Sequence, residues 1–195
     1  MEKTQFSIPA KLFFVFTFVV TLAALWMFLQ ERRHESYLGG DFILNHGGVA
    51  WQFSDHAKDL NLLYIGYTKC PDVCPLRMTK IREALAGLGV KELRGIQPIF
   101  ISVDTDNDKP EEVSAYAQYF LKGFVGLTGS QSEVNKAISL FGATYSKSAE
   151  PNSELGYSYI HTDRLYFLDN RGRVLDSMVA PTDAAEILAK VKEML

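Results

Sequence analysis

Cysteine is nearly absent from this chain, with two residues in 195. Two thiols exclude a disulfide-stapled mini-scaffold and a zinc module built from four cysteines. An excess of basic charge is missing too. Twenty Lys and Arg against 23 Asp and Glu leave a formal charge of −3, which offers no phosphate-binding surface and excludes nucleic acid as a partner. There is no glycine-rich phosphate loop, no Ser-His-Asp order, no internal repeat and no low-complexity tract, so a hydrolase has no support. At 47% hydrophobic and 22% charged, the composition is that of a folded protein.

Charge is lacking altogether from residues 12–29, LFFVFTFVVTLAALWMFL, which also contain no Gly or Pro. As a helix these residues span about 27 Å, close to the hydrocarbon thickness of a bilayer. Lys11 and Glu31-Arg32-Arg33 bracket the run, with Trp26 near one end, where interfacial aromatics sit. A cleaved signal peptide is the rival reading. Its apolar region is shorter and ends at a small-residue site, whereas Ala23-Ala24 are followed by Leu25, Trp26 and Met27. The expectation is an uncleaved transmembrane anchor. Lys3 and Lys11 on one side and Arg32 and Arg33 on the other leave its orientation undecided.

Residues 1–11 then form a flank, 30–40 a polar tether ending in Gly39-Gly40, and 41–195 a single domain. Strands are expected at 41–45 and 49–54 around Asn45-His46-Gly47-Gly48, a hairpin signal. Buried strands follow at 60–68 and 96–104, separated by a helix over about 74–88. A helix begins at Pro110 with Glu111-Glu112 in its first turn, an extended piece covers 124–129, and a helix over 130–141 ends at Gly142. Two strands flank Asn170-Arg171-Gly172 and a last helix covers 183–194. This alternation predicts a three-layer α/β domain with an added N-terminal β-hairpin.

Both cysteines lie in GYTKCPDVCP, residues 66–75, where a buried strand enters a helix. If the helix begins near Cys70 the two thiols share a face; if it begins later, Cys70 sits in the loop above Cys74. Either way sulfur meets unsatisfied N–H groups at a helix N-terminus, which favour the thiolate that attacks disulfides and binds metals. Pro71 and Pro75 stiffen the turn. The bland reading, two small buried hydrophobes, fits isolated cysteines better than a proline-flanked pair at a junction. Of the four histidines, His34 falls in the tether, His46 in a hairpin turn and His56 in a polar loop, all read as solvated. His161 follows Tyr157-Ser158-Tyr159-Ile160 in a segment read as a loop that folds over the sheet end carrying Cys74. Spacing alone does not bring it to the cysteines.

GYTKCPDVCP, then SVDTDNDKPEEV (102–113) and YIHTDRLYFLDNRGRV (159–174), together resemble the Sco/SenC family of copper-binding proteins. The resemblance covers essentially the whole domain and extends to the anchor. It implies a thioredoxin-like fold and copper, as Cu(I) or Cu(II), held by Cys70, Cys74 and His161, with zinc as the second choice of metal. It also implies delivery of copper to, or thiol reduction of, the dinuclear copper centre of cytochrome c oxidase. The implied partners are the subunit bearing that centre and a further copper chaperone or thiol reductase. The implied location is a bacterial inner membrane with the domain in the periplasm; no Arg-rich transit stretch precedes the anchor. Two positions depart from the family: Ile160 stands where Asp often precedes the distal His, and Lys69 where His is frequent. A missing acid bears on imidazole orientation or docking but leaves three ligands in place.

Two sulfurs and a nitrogen suit Cu(I), which accepts low coordination and soft thiolates. The alternative is a thiol-disulfide oxidoreductase with Cys70 and Cys74 as a redox pair. Its usual spacing is C-x-x-C, one residue shorter than Cys-Pro-Asp-Val-Cys. Val73-Cys74-Pro75 is similar to a peroxidatic motif, but Pro71 stands where a Thr hydroxyl is required. Asp104, Asp106 and Asp108 mimic the start of a calcium loop, which Lys109 and Ala115 then break. These acids are expected to solvate a loop, with a minor role for Asp104 and Asp108 in docking, and Asp72 to be a turn residue beside the thiolates.

Overall fold

A strand buried at every position needs cover on both of its faces, and β3 (Leu60–Gly66) is such a strand. It lies at the centre of a five-stranded sheet of order β5-β4-β3-β8-β9 in the computed structural model, which describes residues 17–23, 26–27, 38–151, 153 and 155–195. β4 (Ile96–Ser102) runs parallel to β3, and β5 (Val125–Leu127) parallel to β4. β8 (Arg164–Leu168) and β9 (Val174–Val179) close the other side antiparallel. A mixed sheet sandwiched by helices is the thioredoxin-like architecture expected from the sequence.

The covering helices are α2 (Val73–Ala86), α4 (Pro110–Phe120), α5 (Gln131–Ser139) and α6 (Ala184–Met194), with short pieces α1 (Phe53–His56) and α3 (Val90–Arg94). Their starts follow local chemistry. Pro110 opens α4, and Ser130 and Glu133 bond each other's backbone N–H across the first turn of α5. Phe100 and Tyr64, fully buried on neighbouring strands, stack at 6.4 Å, and Phe100 also meets Tyr116 of α4 at 5.2 Å. The added hairpin is β1 (Ile43–His46) and β2 (Val49–Gln52), paired up to His46↔Val49. Its two-residue turn needs positive φ at both centres, which Gly47 (56°) and Gly48 (92°) supply.

Two expectations change. Residues 38–40, assigned to the tether, belong to the domain: Val174 N–H donates to the Leu38 carbonyl, and Gly39 N–H to that of Leu140. The segment before His161 is a second hairpin and not a loop, made of β6 (Tyr145–Ala149) and β7 (Tyr157–His161). Its alternation is of tyrosine with serine, a pattern that hydrophobicity does not reveal. α3 falls in a stretch for which the sequence offers no expectation, because five residues are too few to show a helical period. Of the anchor run 12–29, residues 17–23 and 26–27 are helical and the rest lies outside the described residues. Among the described residues no helix is long and apolar enough to cross a membrane.

Replacing Phe100 by Ala removes a ring sealed between the sheet and α4. It should cost about 3–5 kcal/mol, seen as a lower midpoint of urea unfolding followed by circular dichroism. A loss below about 1 kcal/mol would mean that the sheet is not sealed on that face.

Candidate metal centre

β3 and β4 end in register, Gly66 opposite Ser102, so the segments that follow them leave the sheet at one end. The carboxyl ends of parallel strands are where α/β sheets build their sites. Tyr64 faces Leu165 near the start of β8, which brings the end of β7 to the same edge. Three chain segments therefore converge there: the cysteine motif, the loop after β4, and the strand carrying His161.

The helix begins late, at Val73, so Cys70 lies in the loop and Cys74 in the first turn. Asp72 precedes the helix without capping it by a side-chain bond. The Cys70 sulfur takes that role, accepting the Cys74 backbone N–H at 3.4 Å. Cys74 is fully buried and Cys70 half-buried, and both are free thiols. Gly66 makes the room: a Cβ there would meet Cys74 Sγ at 2.6 Å and the Phe100 ring at 3.1 Å.

His161, 87 residues further on, brings Nε2 to 3.6 Å from Cys74 Sγ. Its Nδ1 lies 3.3 Å from the Thr162 carbonyl, which assigns the proton to Nδ1 and leaves the Nε2 lone pair facing sulfur. Tyr64 and Tyr67 hold the ring edge-on, at 6.3 and 6.2 Å. Ile160 is 69% exposed, so the residue before the histidine points to solvent and does not orient the imidazole. Arg77, one turn after Cys74, makes a forked bond to Asp163 with Nη2–Oδ2 at 2.7 Å and Nε–Oδ1 at 3.1 Å. Tyr64 donates to the same carboxyl at 3.1 Å, so helix, central strand and histidine segment share one ion pair.

The two thiols are electrostatically unlike. Cys70 is brought down to about 5, first by the hydrogen bond from the Cys74 thiol and then, against the cost of burial, by the N–H groups of Cys74 and Asp72 and by Tyr67. Cys74 is pushed up, because its hydrogen is held by Cys70 and because it is buried. Burial and the neighbouring Cys70 charge raise Tyr67 to about 12.

A trigonal ion about 2.3 Å from sulfur and about 2.0 Å from nitrogen sets those donors about 3.7 Å apart. Cys74 and His161 already stand at 3.6 Å. Among the described residues no three His, Cys, Asp or Glu groups are gathered at metal-ligand spacing. The donor set is thus a pair in contact with Cys70 beside it, on the wall of an open cleft of about 330 Å³ that His161 also lines. The two other described histidines lie elsewhere. His46 bonds the Gly126 carbonyl at 2.9 Å, His56 stacks on Trp51 at 5.1 Å, and His34 is outside the described residues.

Asp104 and Asp108 contradict the expectation of solvated, docking acids: both are buried, at 0% and 3% exposure. Asp108 accepts the Thr68 N–H at 2.8 Å, the Thr68 hydroxyl at 2.5 Å and the Ser102 hydroxyl at 2.5 Å. Lys69 reaches the Asn107 carbonyl at 2.9 Å and Asp108 at 3.4 Å, away from the sulfurs. Their burial was missed because spaced acids in a polar segment look the same whether buried or not. Asp163 lies inside the histidine motif and Arg77 two residues beyond the cysteine motif, and nothing in the sequence pairs them.

The depressed Cys70 should stay reactive in acid. In the reduced, metal-free protein its alkylation rate is expected to stay on a plateau at neutral pH and to fall only as pH drops through about 5. Cys74 should label only on unfolding. A Cys70 midpoint near its ordinary value of about 8.5, measured by mass spectrometry of quenched aliquots, would show that the helix-end hydrogen bonds do not hold the thiolate.

Comparison with known proteins accords with this geometry. The SCO1/SenC family model matches residues 30–195. An SCO2-like protein of Rickettsia felis is 26% identical, over 93% of this chain and 95% of its own. The human mitochondrial SCO1 homolog is 31% identical over 83% of this chain, which spans 55% of that relative. The structure of Bradyrhizobium japonicum ScoI with copper bound superimposes with a TM-score of 0.71 at 31% identity, over 81% of this chain and 99% of that one. The fold, the placement of both motifs on it and these matches agree: the chain belongs to the SCO1/SenC family.

Proposed function

We propose that this protein binds copper through Cys70, Cys74 and His161 and passes it on during assembly of the dinuclear copper centre of cytochrome c oxidase. The observation that carries the reading is the 3.6 Å approach of His161 Nε2 to Cys74 Sγ, with Cys70 on the same cleft. Solved relatives with copper bound support the choice of metal. Two thiolates and an imidazole are soft donors suited to Cu(I), and zinc fits less well where, among the described residues, no fourth donor closes the site. Cys70 brings a ready thiolate. Cys74 must lose its proton as the ion arrives, so loading releases a proton and weakens in acid.

Copper here is cargo. Half-exposed Cys70 on an open cleft lets a recipient's ligand enter as one sulfur leaves. The run 12–29 serves as the anchor and holds the domain on the periplasmic face of a bacterial inner membrane, near its oxidase partner.

One observation favours a second reading. An exposed thiol that ionises readily beside a buried one that does not is the asymmetry of a redox pair. Cys70 would attack a partner's disulfide, and Cys74 would then release the reduced partner by closing Cys70–Cys74. That disulfide removes both sulfur ligands, so copper loading and redox state are coupled.

Anaerobic Cu(I) titration of the reduced full-length chain in mild detergent, against a competing chelator, decides between them. One tightly held ion is expected, lost in Cys70→Ser and weakened at least about tenfold in His161→Ala. Binding indifferent to both substitutions, with disulfide exchange intact in His161→Ala, would replace the copper reading by the oxidoreductase.

A further inference from the structure

β7, which ends in His161, pairs with β6 and with no strand of the main sheet. Its last residue is tied to the sheet by the short run into β8, where Ala180 N–H donates to the Asp163 carbonyl; the rest of the strand is placed by side chains, and two of these lead to one buried carboxyl. Tyr157 donates its hydroxyl to Asp104 Oδ2 at 2.6 Å, and Tyr159 donates to Oδ1 at 3.2 Å. Residues 157, 159 and 161 alternate along one face of the strand, so the clamp grips the face that presents the imidazole. From β6, the Lys147 ammonium meets Asp106 at 3.2 Å and lies 4.5 Å from the centre of the Tyr157 ring.

The same loop holds the other half of the site. Asp104 accepts the Asn107 amide at 2.8 Å, and its N–H donates to the Ser102 hydroxyl, which in turn donates to Asp108. Asp108 fixes Thr68, two residues before Cys70, through the N–H and hydroxyl of that residue. An unbroken chain of hydrogen bonds thus runs from the histidine strand, through residues 102–108, to the cysteine segment.

We propose that the 104–108 loop braces the histidine strand against the cysteine segment, with Asp104, gripped by Tyr157 and Tyr159, as a positioning residue that sets His161 over Cys74. Asp104 touches neither metal nor ligand. It acts through the two tyrosines, as outer hydrogen bonds orient the ligands of other metal sites. A carboxyl offers about four acceptor positions, and here three are filled. Tyr to Phe changes keep the rings, including the 5.2 Å contact of Tyr159 with Tyr67, and remove only the grip.

The affinity arm of the test rests on the copper reading, and a second arm needs no metal. In the first, Cu(I) affinity of the reduced full-length chain in detergent is measured for Tyr157→Phe/Tyr159→Phe, with and without His161→Ala. The double change should weaken binding about tenfold or more. It should add nothing in the His161→Ala background, because its effect runs through the imidazole. In the second arm, Cys74 of the metal-free double variant, which in the wild type labels only on unfolding, should become open to alkylation in the folded state, with Cys70 labelling unchanged. Asp104→Asn, which still accepts one hydroxyl, should fall between. Should the double variant fail to fold by circular dichroism, Tyr157→Phe alone carries the same comparison. A full penalty repeated in the His161→Ala background overturns the proposal, as does unchanged affinity together with unchanged Cys74 protection. Absence of Cu(I) binding in the wild type with Cys74 labelling in the folded variant would sink the copper reading and leave the brace standing.

Discussion

The contact between the Cys74 sulfur and His161 Nε2 joins residues 87 positions apart, and the fold at this end of the sheet is organised around making it. One partner is rigid by construction: Cys74 lies in the first turn of α2, fully buried, in a space that Gly66 leaves empty. The other stands at the open end of the β6–β7 hairpin, three residues before β8, and its own strand pairs with no strand of the main sheet. Side chains complete what the chain's entry into β8 begins. Arg77–Asp163 fastens the chain just after the histidine, and the tyrosines on Asp104 fasten it just before. Bracketing the ligand from both sides fixes its position without burying the ligand itself.

Burial then sets the chemistry of the two sulfurs. A helix terminus favours a thiolate only where its N–H groups can reach the sulfur, and the one reached is Cys70. The buried Cys74 is pushed up because Cys70 holds its hydrogen and burial disfavours its charge, and the Cys70 charge beside it opposes a second. A metal ion reverses that balance, since its positive charge lets both sulfurs be anionic at once. In the metal-free protein the half-buried sulfur is thus the more readily ionised of the two and the buried one the less.

Much of this was legible in the sequence. Apolar runs marked β3 and β4, Pro110 and Gly142 marked helix ends, and a proline-flanked cysteine pair at a strand-helix junction marked the chemistry. What stayed hidden was polar. Asp104 and Asp108 sit in a segment as hydrophilic as any surface loop, and no pattern of one-dimensional hydropathy distinguishes a carboxyl facing water from one facing two phenols. The β6–β7 hairpin was hidden for a related reason: its inward face mixes tyrosine with Lys147, Ala149 and His161, and its outward face is serine and Ile160, so no hydrophobic period stands out. The reach of His161 to the cysteines is a tertiary fact, supplied at the sequence level only by family resemblance.

The exposed side of the cleft follows from the same economy of structure. The position before the histidine points outward, so a change there leaves the ligand field alone and alters only what a partner meets; Ile160 makes that rim apolar. Lys69 is drawn sideways to Asn107 and Asp108, which keeps its cation off the sulfurs, where it would compete with an incoming metal ion. Both departures from the family pattern therefore lie away from the contact between Cys74 and His161, which the sheet end and its buried carboxyls position.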